Sequence, residues 1–282
     1  MKSIDTLIDD ITEVIHGRGG WDNVIGEELG KNIARSAAMR FSKPQKPRGY
    51  LSLSSVGTPC KRKLWFKVNK PELAKPLGAD MLLRFFYGDI IEELILSFAR
   101  IAGHKVEGMQ DRLEVHGIKG HRDAVIDGIT VDVKSCSPFS FKKFERGELR
   151  DNDPFGYISQ LSSYVYAGKD DDLVVDKNKG AFLAIDKVGG GLALDIYDFS
   201  NELPAKADEI AAVKDLVAGT LPKDRVQPVP QSKGSPNTKL AKDCSFCEFR
   251  KECWPNVRTF KYSYGEEYLV HVEKEPKVPE IK

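Results

Sequence analysis

The sequence predicts an α/β (α+β) fold, with a central mixed sheet flanked by helices. Three observations carry that prediction. Residues 79–102 hold Leu82, Phe85, Phe86, Ile90, Ile91, Leu94, Ile95 and Phe98 at helical spacing. Short β-prone runs follow at about 105–115, 121–126 and 129–136, and again at 180–187 and 192–198. The order helix, three strands, helix, strands, helix then fits a layered α/β core.

The remaining elements fall into place along the chain. Residues 4–16 and about 24–39 read as amphipathic helices. Phe41 to Gly57 is rich in Pro, Lys and Ser and reads as loop, followed by a short apolar turn carrying Cys60 and Trp65. Asp153-Pro154 has the form of an N-cap with proline at the first helical position, opening a helix that runs to about Ala167. Gly189-Gly190-Gly191 turns the last two strands, and a helix covers about 201–218. Residues 219–240 read as a linker, and the end is mostly polar. The division expected is a helical extension over 1–50, a core with a cysteine segment over 51–255, and a tail over 256–282.

The 282 residues are 41% hydrophobic and 30% charged, the balance of an ordinary globular protein. No stretch is long and apolar enough to cross a bilayer. The N-terminus, MKSIDTLIDDITEVIHG, carries acidic residues through its apolar pattern and reads as an amphipathic helix rather than a signal peptide. A cytoplasmic location, with no membrane partner, is the expectation. Net charge is +1, but basic residues are clustered: Arg40, Lys43, Lys46 and Arg48, then Lys61, Arg62, Lys63, Lys67 and Lys70. Such runs suit phosphate without requiring it.

The segment Gly120 to Lys134 is the most informative. Asp127-Gly128 between two β-prone runs is a two-residue hairpin signal. Pairing Ile126 with Ile129 sets Asp123 opposite Asp132 and His121 opposite Lys134, all four on one face. Ala124, Ile126, Ile129, Val131 and Val133 take the other face and should meet the core. Opposed carboxylates with β-carbons about 5 Å apart repel. A divalent cation would offset the repulsion, since hard cations prefer oxygen ligands. Lys134 beside them could orient or activate a water. A solvated face of mixed charges is the alternative.

Glu92 lies one helical turn after Gly88, on a stripe with Phe85, Leu96 and Ala99, which makes it a candidate buried carboxylate in need of a partner or metal. Gly88 would allow close approach of another element. Gln160 and Tyr164 are one turn apart and share a helix face.

Five cysteines are an odd count and argue against a disulfide framework. Cys244, Cys247 and Cys253 form C-x2-C-x5-C, a spacing that can hold a metal or part of a cluster. Cys60 is the obvious fourth ligand. Cys136 reads as a strand-end thiol. Spacing does not separate zinc from a cluster.

Together these pieces resemble the PD-(D/E)XK nuclease superfamily, specifically the RecB-like exonucleases with an iron–sulfur cluster. That group includes CRISPR-adaptation nucleases, nuclease domains of bacterial recombination helicases and phage recombination exonucleases. The resemblance covers roughly 52–255 and implies a restriction-endonuclease-like core. It maps the family's helix residue onto Glu92, where His is usual, its aspartate onto Asp123, and its (D/E)-x-K onto Asp132-Val133-Lys134. It maps Gln-x3-Tyr onto Gln160 and Tyr164, and the cluster ligands onto Cys60, Cys244, Cys247 and Cys253. It implies a [4Fe–4S] cluster rather than zinc. It also implies that Glu92, Asp123, Asp132 and the Val133 carbonyl hold Mg²⁺ or Mn²⁺, that Lys134 positions the attacking water, and that Gln160 and Tyr164 steady Lys134 or bind the DNA backbone. Arg62 and Lys63 are candidates for phosphate contacts.

The expected activity is metal-dependent hydrolysis of DNA phosphodiesters by an exonuclease acting on single strands or ends. Two alternatives are a structure-specific endonuclease or nickase, and a non-catalytic, cluster-stabilised DNA-binding protein. A zinc-stabilised scaffold with no nucleic-acid role is a third. No G-x4-G-K-(S/T) motif occurs, so unwinding would need a helicase or recombination partner.

Overall fold

The computed structural model describes residues 2–281. Its helices are α1 (Leu7–Ile15), α2 (Asn23–Phe41), α3 (Lys61–Asn69), α4 (Ala79–Ile101), α5 (Pro138–Glu145), α6 (Tyr157–Ala167), α7 (Leu203–Ala218), α8 (Lys242–Ser245) and α9 (Arg250–Cys253). Its strands are β1 (Val106–Glu107), β2 (Arg112–Val115), β3 (Ile118–His121), β4 (Ala124–Ile126), β5 (Ile129–Cys136), β6 (Lys179–Asp186), β7 (Leu192–Asp198), β8 (Val229–Pro230), β9 (Thr238–Lys239), β10 (Arg258–Tyr262), β11 (Gly265–His271) and β12 (Glu280–Ile281). The chain divides into two compact units. One comprises residues 1–46, 51–57 and 77–214; the other comprises 47–50, 58–76 and 215–282.

The first unit is built on a five-stranded sheet in the order β1-β4-β5-β6-β7. β5 and β6 are parallel and the other pairs antiparallel, so the sheet is mixed. Side chains alternate along β6: Ala181, Leu183 and Ile185 enter one core cluster, Phe182 and Ala184 the other. The first cluster packs against α1 through Leu7 and Ile11 and against α4 through Ile95, Leu96 and Ala99. The second packs against α5 through Phe141 and Phe144 and against α6 through Leu161 and Val165. Helices on both faces are what a sheet with a buried parallel pair requires.

Two local readings change in this unit. α5 is a helix that the sequence reading missed, although Ser137 caps it and Pro138 occupies its first turn. α6 starts at Tyr157, not at Pro154, because Gly156 takes the cap position in a left-handed conformation (φ 74). Asp153 still serves the helix, its Oδ2 accepting from the N–H of Ile158 at 2.8 Å. Gly156 also meets the backbone of Gly57: a β-carbon there would lie 1.7 Å from the Gly57 carbonyl oxygen. Gly156→Ala should therefore cost more than about 2 kcal/mol. Urea unfolding checks this, and an unchanged midpoint would refute the contact.

The second unit holds a five-stranded antiparallel sheet in the order β12-β10-β11-β9-β8. The stretch after 255, read as polar tail, supplies three of its strands, because Phe260 and Leu269 alternate inward and are buried. The expected turn at Cys60 to Trp65 is the start of the nine-residue helix α3. Leu64 and Phe66 bury its apolar side, and Phe66 stacks on Phe249 at 5.6 Å. Among the described residues no helix is long and apolar enough to cross a membrane.

Candidate active site

The hairpin forms with the expected turn. Ile126 pairs with Ile129, Val125 with Thr130 and Ala124 with Val131. Asp127 and Gly128 both take positive φ, as a two-residue turn demands. Ala124, Ile126 and Val131 are buried in the core, with Ile129 and Val133 packed against them.

The register then stops. His121 belongs to β3 and pairs with Arg112, so the expected pairing of His121 with Lys134 does not occur. Arg122 explains the break. Its side chain is buried and forms ion pairs with Asp171 at 2.6 Å and Asp111 at 3.0 Å. The backbone there bonds sideways: the Arg122 N–H donates to the Asp111 carbonyl and the Gln110 N–H to the Asp123 carbonyl. Asp123 nonetheless turns back to β5, its Oδ2 accepting from the Val133 N–H at 2.8 Å. Val133 is thus seen to contribute its N–H.

Asp132 and Lys134, two apart on β5, share the face that looks toward α6. Asp132 is buried (3% exposed) and its two oxygens have different partners. Oδ1 accepts from Gln160 Nε2 at 2.9 Å. Oδ2 faces the Lys134 ammonium at 2.5 Å, with no well-aligned hydrogen bond from any other donor. Lys134 lies over the Tyr157 ring at 4.7 Å and near the Phe182 ring at 5.9 Å. Burial alone would lower the Lys134 pKa. The charges of Asp132 and Asp123 outweigh that and raise it, so the side chain stays a cation.

Glu92 comes in from α4, half-buried, with Oε1 accepting from Gln110 Nε2 at 2.6 Å. Burial raises it to about 7 against the relief of Gln110, and the charges of Asp132, Glu93 and Asp89 add to the rise. Asp123 is held well above the carboxylate range by burial, then by Asp132 and Glu92. Glu92, Asp123 and Asp132 therefore stand in one another's field, with Lys134 as the cation among them. Tyr164 is buried nearby. Desolvation raises its hydroxyl pKa, and the charges of Asp132 and Asp123 add to that, while Ser54 and the His121 backbone oppose it. Gly88 faces open space rather than a neighbouring element, so the close approach expected there is absent.

A pH prediction follows. Both carboxylates are raised on folding, so their contribution is greatest below their unfolded values and is lost as pH rises through the folded ones. In chelator, the wild-type Tm should fall between about pH 4.5 and about pH 7, the window set by Glu92. Glu92→Gln should flatten that fall. A wild-type Tm that rises across the window with the same slope in Glu92→Gln would contradict the shared field.

The cysteines lie in the second unit. Cys244 and Cys247 are pushed up to about 11 and about 12, mainly by burial, and Cys60 adds to both. Cys253 also raises Cys244 and accepts a hydrogen bond from Arg62 Nε at 3.2 Å. The four sulfurs thus share one neighbourhood. Cys136 is the buried last residue of β5, raised to about 11 by burial. Arg62 differs from its expected role as a phosphate contact. It is buried (7% exposed), and its guanidinium also serves the Pro222 carbonyl and the Phe66 ring. Lys63 is paired with Glu248 at 3.3 Å. Among the described residues, no group of three or more His, Cys, Asp or Glu is arranged closely enough to hold a metal ion.

No family model matches the chain, and no curated protein matches it. Solved structures that align with the chain include the following two. A protein solved as SSO0001 aligns over 80% of this chain and 94% of its own, at 15% identity and a TM-score of 0.44. A phage-related exonuclease from Haemophilus somnus 129PT aligns over 64% of this chain and 96% of its own, at 15% identity and a TM-score of 0.39. The functional reading accordingly stands on the residues.

Tyr157, Phe182 and Gln110 are the site residues that the sequence reading missed. Tyr157 had a signal: with Gln160 and Tyr164 it forms a stripe at i, i+3, i+7 on α6. Gln110 and Phe182 come from distant segments and had none.

Proposed function

We propose that the chain is a metal-dependent nuclease that hydrolyses DNA phosphodiesters, with cutting from ends favoured by the family resemblance. One observation carries the reading. Asp132 pairs with the half-buried Lys134, and Glu92 and Asp123, which feel its charge, are raised by burial and mutual repulsion, so the site is short of positive charge.

That deficit and the all-oxygen donor set match a hard cation such as Mg²⁺ or Mn²⁺ in chemistry; Glu92, Asp123 and Asp132 would have to draw closer together than they stand here to hold it. Once bound, it would lower the pKa of water and offset charge on the phosphate. The chain's own groups do the rest. The Val133 N–H fixes Asp123, and Gln160 fixes one oxygen of Asp132. Lys134, kept protonated, is a donor rather than a base. It would orient the attacking water and stabilise the extra negative charge on the phosphate oxygens. The Tyr157 ring, 4.7 Å from the ammonium, helps to hold it in place.

In chemistry the thiols of Cys60, Cys244, Cys247 and Cys253 suit a [4Fe–4S] cluster, with zinc as the alternative; they would have to close up around it, since they do not stand close enough here. Its role would be to tie the segment around Cys60 to the C-terminal cysteines of the second unit. Visible absorbance of anaerobically purified protein decides between them, because zinc is colourless.

The test of function uses end-labelled single strands, linear duplex and closed circles with Mg²⁺ or Mn²⁺. Loss of linear DNA with circles intact establishes an exonuclease. Cut circles move the assignment to an endonuclease. No metal-dependent cutting by loaded protein refutes the reading.

A further inference from the structure

We propose that Phe155 is a stacking platform for a base of single-stranded DNA entering the site; this rests on the nuclease reading. Phe155 is 52% exposed on the loop that precedes α6. A single exposed ring is ordinary on a protein surface. This one differs in three respects.

First, it is joined to the site by a chain of side-chain contacts. The Phe155 and Tyr157 rings lie 5.5 Å apart and 34° from parallel. Tyr157 in turn carries the Lys134 ammonium, which pairs with Asp132. A base resting on Phe155 would extend a ladder whose other end is the lysine placed to meet the phosphate.

Second, the loop is pinned. Asp153 bonds the Ile158 N–H, and Gly156 is pressed against the Gly57 backbone. A ring on such a loop loses little freedom when a base stacks on it.

Third, cations lie beside the loop, interspersed with the exposed acids Glu145, Glu148 and Asp151. Lys143 donates to the Asn152 carbonyl of the same loop at 2.9 Å and lies over the ring of Phe139, which is 73% exposed. Lys142 and Arg146 beside it are exposed. Exposed rings among cations are the recognition chemistry of single strands, where every base offers a stacking face. A duplex keeps its bases stacked on each other and offers the ring nothing comparable.

The experiment is fluorescence anisotropy in EDTA, with a labelled single-stranded oligonucleotide and a blunt duplex of the same sequence. Phe155→Ala should weaken single-strand binding roughly tenfold and leave duplex binding within about twofold. Phe155→Trp should restore it, and Phe155→Leu, apolar but without a ring, should behave as Ala. Single-strand binding unchanged in Phe155→Ala, equal loss on both DNAs, full affinity in Phe155→Leu, or no single-strand binding by the wild type would each overturn the proposal. Cleavage is scored separately. A wild type that cuts, with Phe155→Ala binding single strands normally, removes the platform and keeps the nuclease. The expected binding pattern without any cutting keeps the platform and removes the hydrolysis.

Discussion

Asp132→Asn abolishes hydrolysis, lowering the rate by at least roughly a hundredfold, while the protein stays folded. The rate effect follows from position. Asp132 touches both Lys134 and Gln160, and its charge also reaches Glu92 and Asp123. Removing that charge would take away a ligand for the proposed cation and the group that pairs with the lysine. The stability effect is small because two terms oppose. The ion pair with Lys134 is lost, but Asp123, relieved of the repulsion from Asp132, can ionise and take its place as the counter-charge of Lys134. The net change should lie within about 1 kcal/mol. A labelled-DNA time course and a thermal melt measure the two quantities. Near-wild-type cutting would remove Asp132 from the site; a large loss of Tm would make its role structural.

Lys134→Ala behaves differently, losing both activity and stability. The lysine is half-buried, and its removal leaves the buried Asp132 without its paired counter-charge. Breaking a buried pair from one side costs about 3 kcal/mol, roughly 6–12 °C in Tm for a chain of this size. The loss should lessen at low pH, where the stranded carboxylates can protonate. The double variant Asp132→Asn with Lys134→Met should recover most of the stability and none of the activity, because neither charge is then left alone. If the double variant melts as low as Lys134→Ala, packing rather than the charge pair sets the stability.

Much of the site was legible because its logic is local. The Asp127-Gly128 turn, the pairing of Ile126 with Ile129 and the shared face of Asp132 and Lys134 all follow from a period of two over one hairpin. The inward face of Ala124, Ile126 and Val131 follows from the same alternation. Helix α4 was legible because 23 residues are long enough to show a period. Helix α5 escaped because eight residues are too few, although its cap and proline were present.

What misled the reading lay outside the local window. His121 was placed opposite Lys134 by extending the hairpin, but Arg122 is drawn off by Asp171, nearly fifty positions away in the chain. Arg62 sat in a basic run and read as a phosphate contact, yet it is buried beside Cys253. A run of lysine and arginine looks the same in sequence whether it meets solvent or an interior carbonyl.

By itself, then, the sequence determined the mixed α/β architecture, the turn and face of the hairpin, and the residues Asp132 and Lys134 that share it, since each depends on periods and turn chemistry within a few residues. Only the tertiary structure decided where the hairpin ladder ends, which arginines are buried, that Gln110 and Tyr157 serve the carboxylates and the lysine, and how strongly Glu92 and Asp123 resist ionising. Those depend on burial and on charges brought together from distant segments, and neither is encoded in spacing along the chain.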